Sequence, residues 1–148
     1  MNDSFILRDR KWRETNERVT LSSYAMLSEE SKGRFKKEDQ DPFRTVFERD
    51  RDRIIHSKTF RRLKHKTQVF INPDGDHFIT RMTHTLNVTQ IGRSIAKTLG
   101  LNPDLTEAIC LGHDVGHSPF GHTGEEVLND MLDGGWSHSE NSVKMLSI

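Results

Sequence analysis

Only one cysteine, Cys110, occurs in the 148 residues. No internal disulfide can form, and a reducing cytoplasm is the expected setting. Alone in an apolar helical stretch, Cys110 reads as core filler rather than as a nucleophile. Long apolar runs are also missing. None approaches the roughly 18 residues that a membrane span needs, and the N-terminal MNDSFILRDRKWRE has no signal-peptide core. No membrane partner is therefore expected. The sequence has no internal repeat, no low-complexity tract and no convincing strand alternation, which leaves an all-α class.

Net charge is absent as well, with 22 basic against 22 acidic residues, but the balance is uneven along the chain. Residues 1–66 hold 18 Lys and Arg against 12 Asp and Glu, and residues 67–148 hold 4 against 10. Six of the eight histidines fall between His77 and His138. A basic front and an acidic, histidine-rich back would suit a polyanionic substrate held near a cationic metal. On charge alone, two ordinary solvated faces are the favoured reading.

What is present is a helical pattern. The length suits one domain. With 32% hydrophobic and 30% charged residues, the composition points to a soluble helical protein with thin apolar stripes, or to a piece of something larger. Residues 1–41 are polar and weakly patterned, and are expected to form a mobile leader. From Phe43, apolar residues at three- to four-residue steps (Val46, Phe47, Ile54, Phe60, Leu63) predict helix. Residues 72–76, NPDGD, predict a turn. A helix is expected from about Ile79 to Leu99, with His84, Val88, Ile91, Ile95 and Leu99 near one face, stopped by Gly100. Asn102-Pro103 should open the next helix as cap and first turn. Gly116, Pro119 and Gly121 then break regular structure, before a short helix at 123–132 and a last one from about His138.

The chemistry concentrates in GHDVGHSPFGHTGEE, residues 112–126, with RMTHTLNV upstream at 81–88. Neighbouring helical residues point about 100° apart, so His113 and Asp114 can share an ion only if it lies against the helix surface between them. A third ligand must come from another element, and His84 is the natural candidate. Two imidazoles with a carboxylate suit Mn²⁺, Fe²⁺, Ni²⁺ or Zn²⁺ better than Ca²⁺. An alternative zinc pair of His113 and His117 would need a continuing helix and a glutamate after the first histidine. Asp114 and the breakers Gly116 and Pro119 oppose it.

The pattern R-x-x-H-[ST] followed by HD resembles the HD superfamily of phosphohydrolases. The longer strings RDRIIHSKTFRRLKHKTQVF (51–70), TRMTHTLNVTQIGRSIA (80–96) and GHDVGHSPFGHTGEEVLN (112–129) resemble the bacterial deoxyguanosine-triphosphate triphosphohydrolase family. The resemblance implies a helical HD-domain bundle, of which residues 42–148 would be the N-terminal part. It implies His84, His113 and Asp114 as three of four metal ligands, for Mn²⁺, Mg²⁺, Fe²⁺, Ni²⁺ or Zn²⁺. His117 and His122 would face the α-phosphate, with His117 the better candidate for proton transfer. Glu125, with Glu126 beside it as the alternative, would orient that histidine, and His138 would be a further active-site histidine.

Arg81 is implied as a phosphate contact and Gln68 as a reader of the deoxyribose. Arg61, Arg62, Lys64 and Lys66 could assist or simply form a solvated face. The reaction implied is hydrolysis of a deoxynucleoside triphosphate to deoxynucleoside and tripolyphosphate. Homo-oligomers of the full-length protein and single-stranded DNA are the other partners implied. The family's fourth ligand lies beyond position 148, so the chain is expected to be an incomplete fragment, inactive or nearly so on its own. The alternatives are another HD phosphohydrolase, acting on nucleoside monophosphates, cyclic dinucleotides or alarmones, or a truncated, non-catalytic nucleic-acid-binding or regulatory relative.

Overall fold

Among the described residues, every α-helix but the sixth starts where a short polar side chain holds a free backbone N–H. The computed structural model describes residues 7–34, 36–66 and 80–147, and all regular structure among them is helical. Asp9 accepts from the Trp12 N–H at 2.9 Å and opens α1 (Arg10–Thr20). Thr45 and Glu48 cap α2 (Val46–His56) reciprocally, at 3.3 and 2.8 Å. Ser57 opens the single-turn α3 (Lys58–Arg62), and Thr80 opens α4 (Arg81–Thr98). Asn102 accepts from the N–H groups of Asp104 and Leu105 at the head of α5 (Pro103–Gly112), as the Asn-Pro pair predicts. α6 (Gly121–Met131) and α7 (His138–Leu146), the latter capped by Ser137, complete the chain.

The core gathers Ile54 of α2, Phe60 of α3, Leu63, Ala108 and Leu111 of α5, and Val115, with Met82 and Leu146 packed against it. Fully burying a side chain such as Leu63 or Leu111 contributes roughly 1.5–3 kcal/mol. These contacts cross from α2 through α5 to α7, so α5 is the central strut. Its C-terminal end presents residues 113–117.

Three expectations need adjusting. The first concerns the front of the chain, where a polar leader was expected but Arg10–Thr20 is helical. That segment is tied down by Arg13 to Glu48 (2.6 Å), Ser28 to Glu17 (2.7 Å) and the Asn102 amide to the Met26 carbonyl (3.1 Å). Its order rests on polar bonds, which apolar periodicity does not register.

The second concerns Phe43, which precedes the helix and is exposed. The Asp41 carboxylate accepts from the Phe43 and Arg44 N–H groups and makes a turn there. The third concerns α4, whose apolar stripe faces outward, with Ile91, Ile95 and Leu99 more than half exposed. Its buried positions are Arg81, Thr85, Thr89 and Ala96. Close approach to α5 selects small residues there. A Cβ on Gly92 would come within 2.8 Å of the Cys110 Sγ. Gly100 does end α4: it sits at φ +68°, and the Gly100 and Leu101 N–H groups close onto the Lys97 and Ala96 carbonyls.

Much of the basic front is neutralised internally. Arg34 pairs with Asp50, Arg44 with Asp41 and Asp52, Arg49 and Arg53 with Glu38, and Arg51 with Asp104. Among the described residues no helix is long and apolar enough to cross a membrane. Gln68 and the turn at 72–76 lie outside the described residues.

Candidate functional site

Two groups of ligand-type side chains flank the loop that follows α5. In the first, α4 supplies His84 and the end of α5 supplies His113 and Asp114. One donor atom from each lies within 4.8 Å of the others. The His84 and His113 rings meet edge-on, with centroids 5.6 Å apart. The His113 Nδ1 lies 2.7 Å from the Cys110 carbonyl. Only an N–H can make that contact, so in the neutral ring Nδ1 carries the proton and Nε2 offers the lone pair.

Asp114 is 4% exposed. Its Oδ2 accepts from the Arg81 guanidinium at 3.0 Å, and its Oδ1 faces the His113 Nε2 at 3.5 Å. In that neutral form two acceptor atoms face one another beside a second imidazole, that of His84. That arrangement asks for a cation, and a divalent ion fits the donor set. Arg81, expected at a phosphate, is itself 4% exposed and directed at Asp114.

In the second group, His117 comes from the loop, His122 and Glu125 from α6, and His138 from α7. Here too one donor atom of each lies within 4.8 Å of the others. The His117 and His138 rings stack at 4.4 Å and 15°, and His122 stands edge-on to both, at 5.2 and 5.8 Å. Glu125 accepts from the His138 backbone N–H at 2.9 Å, and meets the His138 Nδ1 at 2.9 Å and the His122 Nδ1 at 3.1 Å. Glu126 is exposed, so of the two candidates Glu125 touches histidines. It touches His122 and His138, whereas His117 was the ring expected to need orienting.

Burial opposes ionisation of Glu125, yet the bonds from the His138 N–H and from the two rings hold its pKa down at about 2. His117 is buried, with the Arg81 charge nearby, and its pKa falls to about 4. It is therefore a neutral imidazole at ordinary pH.

Backbone geometry places these groups. Phe120 adopts a left-handed conformation (φ 64°, ψ 21°), as does Gly121 (φ 62°), and the turn is closed by Ser118 Oγ donating to the Gly121 carbonyl at 2.9 Å. A bulky residue pays about 1–2 kcal/mol for that conformation, and here it starts α6 with His122 at its head. α7 is clipped to the loop by three bonds. Gly116 N–H donates to Ser142 Oγ (2.9 Å), Ser142 Oγ donates to the His113 carbonyl (3.0 Å), and the Asn141 amide donates to the Gly116 carbonyl (2.7 Å).

The sequence reading missed Ser142 and Asn141. Contacts more than twenty residues apart have no spacing signature, and Gly116 was the single hint. Lys66, left among surface cations, is half-buried. Burial and the charges of Arg81 and Arg62 push its pKa down, and it donates to the His117 carbonyl at 2.6 Å. A cleft of about 640 Å³ between the α1 region and α2 is lined by Arg10, Glu14, Lys32, Arg34 and Arg53, and includes none of these histidines.

A helical protein with a His/His/Asp set at the end of one helix and a His/Glu cluster beside it has the site layout of an HD domain. Residues 81–148 match the HD domain model. The chain is similar to the N-terminal portion of proteins named deoxyguanosinetriphosphate triphosphohydrolase-like. A protein of that name from Caldanaerobacter subterraneus subsp. tengcongensis is 64% identical over 128 residues, covering 86% of this chain and 38% of that protein. One from Clostridium tetani is 59% identical over 138 residues, covering 93% and 40%, and one from Desulfatibacillum aliphaticivorans is 56% identical over 126, covering 85% and 36%. The chain thus spans less than half the length of these relatives.

Proposed function

We propose that this chain carries part of the active site of a divalent-metal-dependent hydrolase of deoxynucleoside triphosphates, with dGTP-like substrates, releasing deoxynucleoside and tripolyphosphate. The observation that carries this reading is the convergence of one donor atom each from His84, His113 and Asp114 within 4.8 Å, next to a carboxylate-oriented histidine pair. The relatives' names supply the substrate class.

A divalent ion on His84, His113 and Asp114 would neutralise phosphate charge and acidify water. The chain's own groups divide the remaining work. Arg81 holds Asp114 with one carboxylate oxygen turned to the ligand set. Glu125 orients His122 and His138 through their Nδ1 atoms, leaving each Nε2 for substrate. Breaking the bond between the α-phosphorus and the 5′ oxygen leaves an alkoxide that needs a proton. His122, exposed and paired with Glu125, is better placed to give it than His117, whose pKa of about 4 keeps it unprotonated. His117 then acts as a neutral packing wall, stacked on His138. Arg81, Lys66 and the clipped α7 are positioning residues and elements.

Product identity tests the reading. The chain is incubated at high concentration with Mn²⁺ and dGTP, and phosphorus NMR follows the products. Turnover is expected to be weak, because the resemblance supplies only three of four protein ligands. The dGTP consumed should appear as deoxyguanosine and intact tripolyphosphate. Appearance of dGMP and pyrophosphate would point instead to attack at a different bond and to another HD phosphohydrolase class.

A further inference from the structure

We propose that His117, His122, Glu125 and His138 form a second metal site, distinct from His84, His113 and Asp114, that takes a borderline-soft ion such as Zn²⁺ or Co²⁺. It goes beyond the hydrolase reading and stands whatever bond that reaction breaks. Three imidazoles and a carboxylate, with one donor atom of each within 4.8 Å of the others, make a nitrogen-rich four-ligand set. Such a set matches the ligand types and number of tetrahedral zinc.

A second, independent observation comes from His117. It is 2% exposed, and both of its ring nitrogens are buried with no hydrogen-bond partner. A neutral imidazole always carries one N–H donor and one lone pair. Burying both unmet is costly, and an ion in the cluster would satisfy the lone pair. Glu125 meets the other two rings at Nδ1, 3.1 Å for His122 and 2.9 Å for His138. An ion bound by Glu125 would replace the ring protons at these contacts, so the carboxylate and the two imidazoles would ligate together.

Occupation has a consequence for any chemistry at the first site. An ion here takes the lone pairs of His122 and His138 and removes them from proton transfer. The second site is therefore inhibitory, and metal dependence of turnover should rise and then fall as Zn²⁺ increases.

Zn²⁺ alone is the probe. The 148-residue chain is titrated against a chromophoric chelator, with bound zinc counted by elemental analysis and helicity checked by circular dichroism. The chain should bind two ions. His122→Ala, at an exposed position where packing is unaffected, should keep one ion and weaken the other about tenfold or more. His84→Ala/His113→Ala should likewise keep one. Co²⁺ in that double variant should show the intense visible absorption of four-coordinate cobalt, and His122→Ala added to it should abolish the band. A single zinc in the unaltered chain, or loss of both ions in His84→Ala/His113→Ala, would overturn the proposal. Product identity with dGTP is unaffected by either outcome, so failure here and failure of the hydrolase reading are distinguishable.

Discussion

Asp114→Ala is expected to destabilise the chain by roughly 3–5 kcal/mol, the usual cost of leaving one partner of a buried ion pair alone. Asp114 and Arg81 are each 4% exposed, and their side chains pair at 3.0 Å, so the guanidinium would remain buried and uncompensated. For a chain of this size the midpoint of thermal unfolding should fall by about 10 °C or more. The double variant Arg81→Met/Asp114→Leu removes both charges while keeping apolar volume, and should regain most of that loss. It should not regain metal binding. The two results separate the structural role of the pair from the ligand role of Asp114. A melting point for Asp114→Ala within a degree or two of the unaltered chain would show that Arg81 finds water when the carboxylate is gone.

Gly116→Ala should be comparably damaging, for a different reason. A Cβ there would fall on the backbone nitrogen of Ser142, 2.6 Å from the carbonyl carbon of Asn141 and 2.8 Å from the Ser142 Cα. Backbone cannot rotate aside as a side chain can, so α7 must lift off. That movement breaks the three bonds that clip it to the loop and withdraws His138 from His117. Overpacking typically costs about 1–3 kcal/mol, and the lost bonds about 1 kcal/mol each. Amide exchange across α7 should accelerate toward that of a free peptide, while α2 and α5 stay protected. Unchanged protection of α7 would mean that it docks by some other contact.

The all-α class, the head of α5 and the end of α4 were legible because they follow local rules. Asn102 before Pro103 and Gly100 after α4 each act within one turn of chain. The buried face of α4 was not legible. Periodicity weighs apolar residues, and this helix buries Thr85, Thr89 and Ala96 so that it can approach α5 closely. The helix at Arg10–Thr20 escaped for a related reason, being anchored by Glu48 and Pro42 rather than by an apolar stripe.

The residue types of the candidate site could be read from the loop 112–126, whose pattern is compact in sequence. Their division of labour could not. Which Asp114 oxygen faces the ligands, where Arg81 points and which rings Glu125 touches all depend on packing between helices far apart in the chain. The left-handed Phe120 had no signal either, since aromatic residues seldom adopt that conformation.

The account depends most on His84, His113 and Asp114 acting together as a cation site. Mn²⁺ binding to the 148-residue chain, followed by loss of the free-ion signal in electron paramagnetic resonance, tests this directly. The carboxylate in this group suits Mn²⁺ better than the histidine-rich cluster does. Binding should be lost in His84→Ala and in His113→Ala, and retained in His122→Ala. Undiminished Mn²⁺ binding by His84→Ala and His113→Ala would contradict the account.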